Sequence, residues 1–155
     1  MRRSRIARTR GYCVLCIVPD GGLAPNDSMS KTVLIADDSA TMRLTVRLLM
    51  EGRNAELDVQ EAVDGVDAIE KAEMLKPDLI VLDLAMPRLN GAEAASVLKK
   101  TMPDTPIILF TLYSEVGRVL STATGVEVIS KTDDFPRLLE RVDTLFGSSA
   151  ESERS

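Results

Sequence analysis

The sequence contains no histidine, and its two cysteines, Cys13 and Cys16, both lie near the amino terminus. Without histidine, imidazole-based acid–base catalysis and most zinc sites are excluded, and any phosphohistidine chemistry must come from a partner protein. The C-x-x-C spacing would need a second pair to make a zinc ribbon, or a βαβ context to make a thioredoxin-type site. The sequence offers neither, so the two cysteines read as incidental. A main body free of cysteine is compatible with a reducing cytoplasm, the expected location. No apolar run approaches the length of a membrane span; the longest are 14–18 and the strand cores. The phosphate-binding pattern G-x-x-x-x-G-K-[ST] is also missing, which disfavours a nucleotide triphosphatase.

What is present is one ordinary core's worth of apolar residues, 45% of a 155-residue chain. Charge is unevenly spread beneath the net −5. Residues 1–28 carry five Arg against two Asp, and the remainder carries 14 basic against 22 acidic residues. An acidic body argues against a nucleic-acid interface, because phosphate contact needs a basic surface.

The lead, 1–28, has little periodicity and ends in a turn-rich cluster, 19–28. It is expected to be disordered, and a natural start at Met29 is the sharper reading. From 31 onward, strand-like and helix-like segments alternate. Strands are expected at 32–36, 57–62, 79–82, 107–110 and 126–130. The run Leu79-Ile80-Val81-Leu82 has no alternation, which suits a strand covered on both faces. The segment 57–62 mixes apolar and polar positions, which suits an edge.

Helices are expected from Ser39 as N-cap to about 52, with Met42, Val46, Leu49 and Met50 inward, and over 66–76, with Val66, Ile69 and Ala72 on one side and Pro77 as the stop. A third opens at Asn90 or Gly91 with Ala95, Leu98 and Met102 inward. A fourth spans 115–123 with Val116, Val119, Leu120 and Ala123 inward. The last begins near Asp133 and Asp134, with an apolar face of Leu138, Leu139, Val142, Leu145 and Phe146. Residues 148–155 form a polar tail expected to be disordered. Five strands alternating with five helices, with right-handed crossovers, give an α/β fold: a doubly wound five-stranded parallel sheet of flavodoxin-like (βα)5 type, order 2-1-3-4-5.

In such a sheet all strands point one way, so the residues at their carboxyl ends converge on one edge, where open α/β sheets bind ligands. Here these are Asp37, Asp38, Asp83, Thr111 and Lys131. Two carboxylates about 4 Å apart repel by roughly 4 kcal/mol at an effective dielectric near 20. Three in one cleft therefore call for a cation, and hard oxygen ligands suit Mg2+ better than zinc. A carboxylate beside Mg2+ can attack a phosphoryl group to give an aspartyl-phosphate. Thr111 and Lys131 would then serve as donors to the phosphoryl oxygens.

With these residues the chain resembles the receiver domain of two-component response regulators, over about 31–147. The resemblance rests on VLIADDS, on A-x-D-G at 62–65, on KPDLIVLDLAMPRLNG at 76–91, on PIILFT and on Lys131. It implies a receiver domain at 29–147 whose Asp83 takes a phosphoryl group from a sensor histidine kinase or histidine phosphotransfer protein. It further implies that Asp38 binds Mg2+ directly and Asp37 through water, that the Ala85 main-chain carbonyl is a further ligand, and that Asp83 belongs to the metal set. By the same match Thr111 moves onto the phosphoryl group, Lys131 pairs with it, and Pro87 and Gly91 shape the loop after the acceptor. Such a module, read here as a stand-alone one, is not an enzyme beyond its own phosphorylation and dephosphorylation. It signals by protein contact, without nucleic acid or membrane, through the face made by the fourth helix, last strand and last helix.

Three positions depart from the family pattern. Val128 stands where many members have an aromatic switch residue, Thr132 where proline is usual, and Leu112 where a small residue is usual. Leu112 is expected to narrow access to the acceptor, and Tyr113 or Phe110 to stand in for the aromatic. Two other functions compete. An aspartate-nucleophile phosphohydrolase would need a second Asp two residues beyond Asp83, where Ala85 stands. A degenerate receiver would bind its partner without phosphorylation.

Overall fold

The computed structural model describes residues 4–9, 12–17, 30–132 and 135–147. Strands β1 (Ser4–Thr9) and β2 (Tyr12–Ile17) pair antiparallel, with Ser4 opposite Ile17 and Thr9 opposite Tyr12. This differs from the disorder expected of the lead. A signal was present: two six-residue runs are separated by Arg10-Gly11, the spacing of a short hairpin connection containing glycine. The expected start at Met29, the polar tail, and Asp133 and Asp134 lie outside the described residues.

The remaining elements are β3 (Lys31–Ala36), α1 (Ala40–Arg53), β4 (Leu57–Ala62), α2 (Gly65–Leu75), β5 (Leu79–Leu82), α3 (Gly91–Thr101), β6 (Ile107–Thr111), α4 (Ser114–Thr124), β7 (Glu127–Ser130) and α5 (Phe135–Phe146). The five later strands form one parallel sheet, β4-β3-β5-β6-β7. Counted from β3, this is the order 2-1-3-4-5, with the half-polar β4 at an edge as its sequence suggested.

Alternation along the strands divides the core in two. Val33, Ile35, Leu79, Val81, Ile108 and Phe110 pack with Val46 and Met50 of α1 and Leu138 and Val142 of α5. On the opposite face, Leu34, Ile80, Leu82 and Leu109 pack with Ala68 and Ala72 of α2 and with Ala94, Ala95 and Leu98 of α3. Short side chains on α2 and α3 let both helices lie close to the sheet. Phe110 is core, edge-on to Phe135 at a centroid distance of 5.0 Å; it is therefore buried away from the role of a surface switch.

Helix starts follow capping chemistry. Backbone N–H groups of Met42, Asp67 and Glu93 donate to the side chains of Ser39, Asp64 and Asn90 at 3.3, 2.8 and 2.9 Å. Two inward faces differ from expectation. Leu49 of α1 is exposed, leaving Val46 and Met50 to carry the contact. In α4, Val116 and Val119 are 55% and 72% exposed and Ala123 faces outward, while Gly117 is buried. The reason is proximity: a Cβ on Gly117 would lie 2.8 Å from Val128 Cγ1, so a residue without a side chain occupies the contact with β7.

Candidate functional site

The parallel ladder extends one step beyond the strands and thereby fixes the site. Ala36 pairs with Leu82, and the Asp83 N–H donates to the Ala36 carbonyl at 2.9 Å, which sets Asp37 and Asp83 at neighbouring strand ends. Across the sheet, Thr111 pairs with Ser130, and the Lys131 N–H donates to the Thr111 carbonyl at 3.0 Å. Glycine completes the frame. Gly91 N–H donates to the Leu84 carbonyl at 3.0 Å, and a Cβ there would fall 2.0 Å from the Asp83 carbonyl oxygen. Only glycine lets the start of α3 approach the backbone of Asp83 this closely.

The side chains meet as follows. Lys131 Nζ lies 2.5 Å from Asp37 Oδ2 and 3.1 Å from Asp83 Oδ2, with all three residues buried. Asp37 Oδ1 accepts the Ser39 N–H at 2.8 Å. Asp37, Asp38 and Asp83 each offer a carboxylate oxygen within 4.8 Å of the others, and Asp38 is exposed. Thr111 is buried, and its Oγ1 accepts the Tyr113 N–H at 3.1 Å. The structure thus brings together Asp37, Asp38, Asp83, Thr111 and Lys131. Ala85 lies in the loop directly after Asp83, whereas Leu112 and Tyr113 stand largely in solvent.

Burial is the main influence raising the Asp83 carboxyl above the usual carboxylate range, and the neighbouring Asp37 adds to it. The Lys131 ammonium and the Thr111 hydroxyl pull the other way without overcoming it. One ammonium among three carboxylates leaves a surplus of negative charge. The donor set is all oxygen, with no histidine or cysteine among the described residues of the cluster. It fits a hard divalent cation such as Mg2+, with the exposed Asp38 open to solvent for a cation that keeps waters.

Two features were not apparent from the sequence. Arg43 Nη1 donates to the Asp37 carbonyl at 2.7 Å while its Nε pairs with Glu61, bracing the strand end from α1. The second is an ion pair between Asp64 and Arg88, the latter in the loop after Asp83. The A-x-D-G pattern signals Asp64 as a helix cap; nothing local signals its partner.

Residues 33–143 match the family of the response regulator receiver domain. The chain belongs to that family. Aspartate phosphorylation and Mg2+ binding are general features of its members. The response regulator domain of Thermotoga maritima CheB superposes with a TM-score of 0.68 at 32% identity, covering 76% of this chain and 96% of that one. The Thermotoga maritima response regulator TrrA, solved in complex with Mg2+-BeF, gives 0.66 at 30% identity, covering 74% and 98%. Among curated proteins, a protein-glutamate methylesterase/protein-glutamine glutaminase of Geobacter metallireducens is 38% identical over 93 residues, 60% of this chain. The transcriptional regulatory protein YdfI of Bacillus subtilis is 41% identical over 99 residues, 64% of this chain. This chain spans 26% of that methylesterase's length and 45% of that regulator's. No helix among the described residues is long and apolar enough to cross a membrane.

Proposed function

We propose that Asp83 is the phosphoacceptor of this receiver domain, taking its phosphoryl group from the phosphohistidine of a sensor kinase or a histidine phosphotransfer protein. A carboxylate oxygen of Asp83 forms the new bond to phosphorus as the bond to the donor imidazole nitrogen breaks, and the electron pair leaves with the imidazole. The observation that carries this reading is the single ammonium of Lys131 bridging two buried carboxylates, one of them at the end of β5. Such an ammonium is placed to transfer its pairing to phosphoryl oxygens when the acceptor's own charge is consumed. The buried Thr111 hydroxyl, whose influence draws the Asp83 carboxyl downward, is the second donor.

Asp37, Asp38, Asp83 and the main-chain carbonyl of Ala85 would hold Mg2+. When bound, it neutralises charge between acceptor and phosphoryl group. The chain's own groups do the rest: the sheet fixes the acceptor, and Asp37 orients Lys131. Signalling then runs through protein contact at the face of α4, β7 and α5, where Val116, Val119 and Tyr113 present exposed apolar surface. In this reading the protein works in the cytoplasm, with neither nucleic acid nor membrane as partner.

Acetyl phosphate with Mg2+ tests the proposal. One phosphoryl increment on the intact protein, lost without Mg2+ and lost in Asp83→Asn, is the expected result. Turnover of many phosphomonoesters would favour a phosphohydrolase. No modification by any donor, with partner binding intact, would favour a degenerate receiver.

A further inference from the structure

The loop that follows the acceptor, 84–90, is held from outside the acid cluster. Arg88 Nε and Nη2 each lie 2.7 Å from Asp64 Oδ2, while Asp64 Oδ1 accepts the Asp67 N–H at 2.8 Å. The next residues repeat the attachment along the backbone. The Gly65 N–H donates to the Leu89 carbonyl at 3.1 Å, and a Cβ on Gly65 would fall 2.2 Å from that oxygen. The N-cap and first residue of α2, Asp64 and Gly65, therefore grip two consecutive residues of the loop.

The gripped point is strained. Arg88 has φ +63°, and the Leu89 N–H donates to the Pro87 carbonyl at 2.7 Å. That is a three-residue turn about a positive-φ centre, a rare and unfavourable form for any residue but glycine. The other non-glycine residue with positive φ among those described, Lys76, ends a helix, a common place for that conformation. Arginine thus occupies a position whose backbone favours glycine, and its fork is spent on a buried carboxylate. A side chain that secures an unfavourable turn is explicable if the turn itself is needed.

We propose that Asp64 and Arg88 are positioning residues: their ion pair holds the loop carrying Ala85 in the strained conformation that completes the cation site beside Asp83. This rests on the Mg2+ reading of the acid cluster given above. The pair touches none of the acidic residues of that cluster, so it acts by fixing where the loop lies. Outer partners that orient metal ligands commonly change metal affinity by about 10–100-fold when removed. A pair whose arginine side chain is 61% exposed should sit at the low end.

Calorimetric Mg2+ titration of the full chain, with no phosphodonor present, is the test. Arg88→Ala keeps the strained turn and deletes the grip, so Mg2+ affinity should fall about tenfold. Asp64→Asn keeps a capping oxygen and loses the charge, and should fall similarly. Arg88→Gly deletes the grip but also the strain, and should recover most of the wild-type affinity. A merely stabilising ion pair would not give that recovery. Amide exchange at 84–90 in metal-free protein supplies a second readout: faster in Arg88→Ala, and near wild type in Arg88→Gly. Arg88→Lys, which keeps the charge, replaces Arg88→Ala if the latter does not fold, and should show a smaller loss. Wild-type affinity in Arg88→Ala, or an equal loss in Arg88→Gly, overturns the positioning role while leaving the cation site standing. Absence of Mg2+ binding in the wild type overturns both.

Discussion

Replacing Gly117 by alanine sets two effects of similar size against each other. In a helix interior alanine is favoured over glycine by about 1 kcal/mol. Against this, the new Cβ would lie 2.8 Å from Val128 Cγ1 and 3.3 Å from Cγ2, and 3.6 Å from Leu84 Cδ1. The last distance is an ordinary contact; the first is not, and valine is stiff at χ1, so it cannot swing both methyls aside. Overpacking of this kind costs roughly 1–3 kcal/mol. The net for Gly117→Ala is therefore a loss of about 1 kcal/mol in stability, which combines the helix gain with the clash.

The same substitution in a Val128→Ala background should do the opposite. Both clashing methyls are gone, the helix gain remains, and the new methyl fills part of the space vacated beside Leu84. Gly117→Ala should then stabilise by about 1 kcal/mol, making the coupling between the two positions roughly 2 kcal/mol, within the range of contacting residues. Urea unfolding of all four proteins, followed by far-UV circular dichroism and extrapolated linearly, measures it. Equal effects of Gly117→Ala in the two backgrounds would show that the glycine is not there for Val128. The result bears on function, because this contact ties α4 to β7 within the face proposed above for protein contact.

Two further substitutions probe Asp83 and its surroundings. Asp83→Asn should stabilise the metal-free fold at neutral pH. The folded carboxyl is raised above its unfolded value, so the favourable contribution of its protonated form is complete below the unfolded value and lost as pH rises through the folded one. The wild type should therefore trail the variant at neutral pH and draw level as pH falls through the raised value of Asp83; chemical denaturation across that range shows it, and a gap that widens on acidification would reverse the sign of the argument. Gly91→Ala places a Cβ 2.0 Å from the Asp83 carbonyl oxygen, so the first turn of α3 must retreat. A loss of about 2–3 kcal/mol is expected, together with slower labelling by acetyl phosphate if Asp83 takes the phosphoryl group as proposed; an undisturbed rate would mean that the start of α3 does not help to place Asp83.

These contacts also mark what could be read from the residues before the fold was known. Leu79 to Leu82 declares a doubly covered strand by lacking alternation, and a parallel sheet then carries Asp37, Asp83, Thr111 and Lys131 to one edge as a consequence of topology alone. Their convergence needed no knowledge of side-chain contacts. The inward face of α4 did. Periodicity assigns burial to the most apolar residues, which chose Val116 and Val119, whereas the close approach to Val128 selects the smallest residue and turns those valines to solvent. The Asp64–Arg88 grip was illegible for a related reason: it joins residues 24 apart in sequence through a positive-φ turn at an arginine, where local propensity expects glycine. Patterns averaged over a helix or strand report what each element buries. The distances at which elements meet are set by single residues that break those patterns, and in this protein Gly91, Gly117 and Arg88 are such residues, each in or beside the elements that frame Asp83.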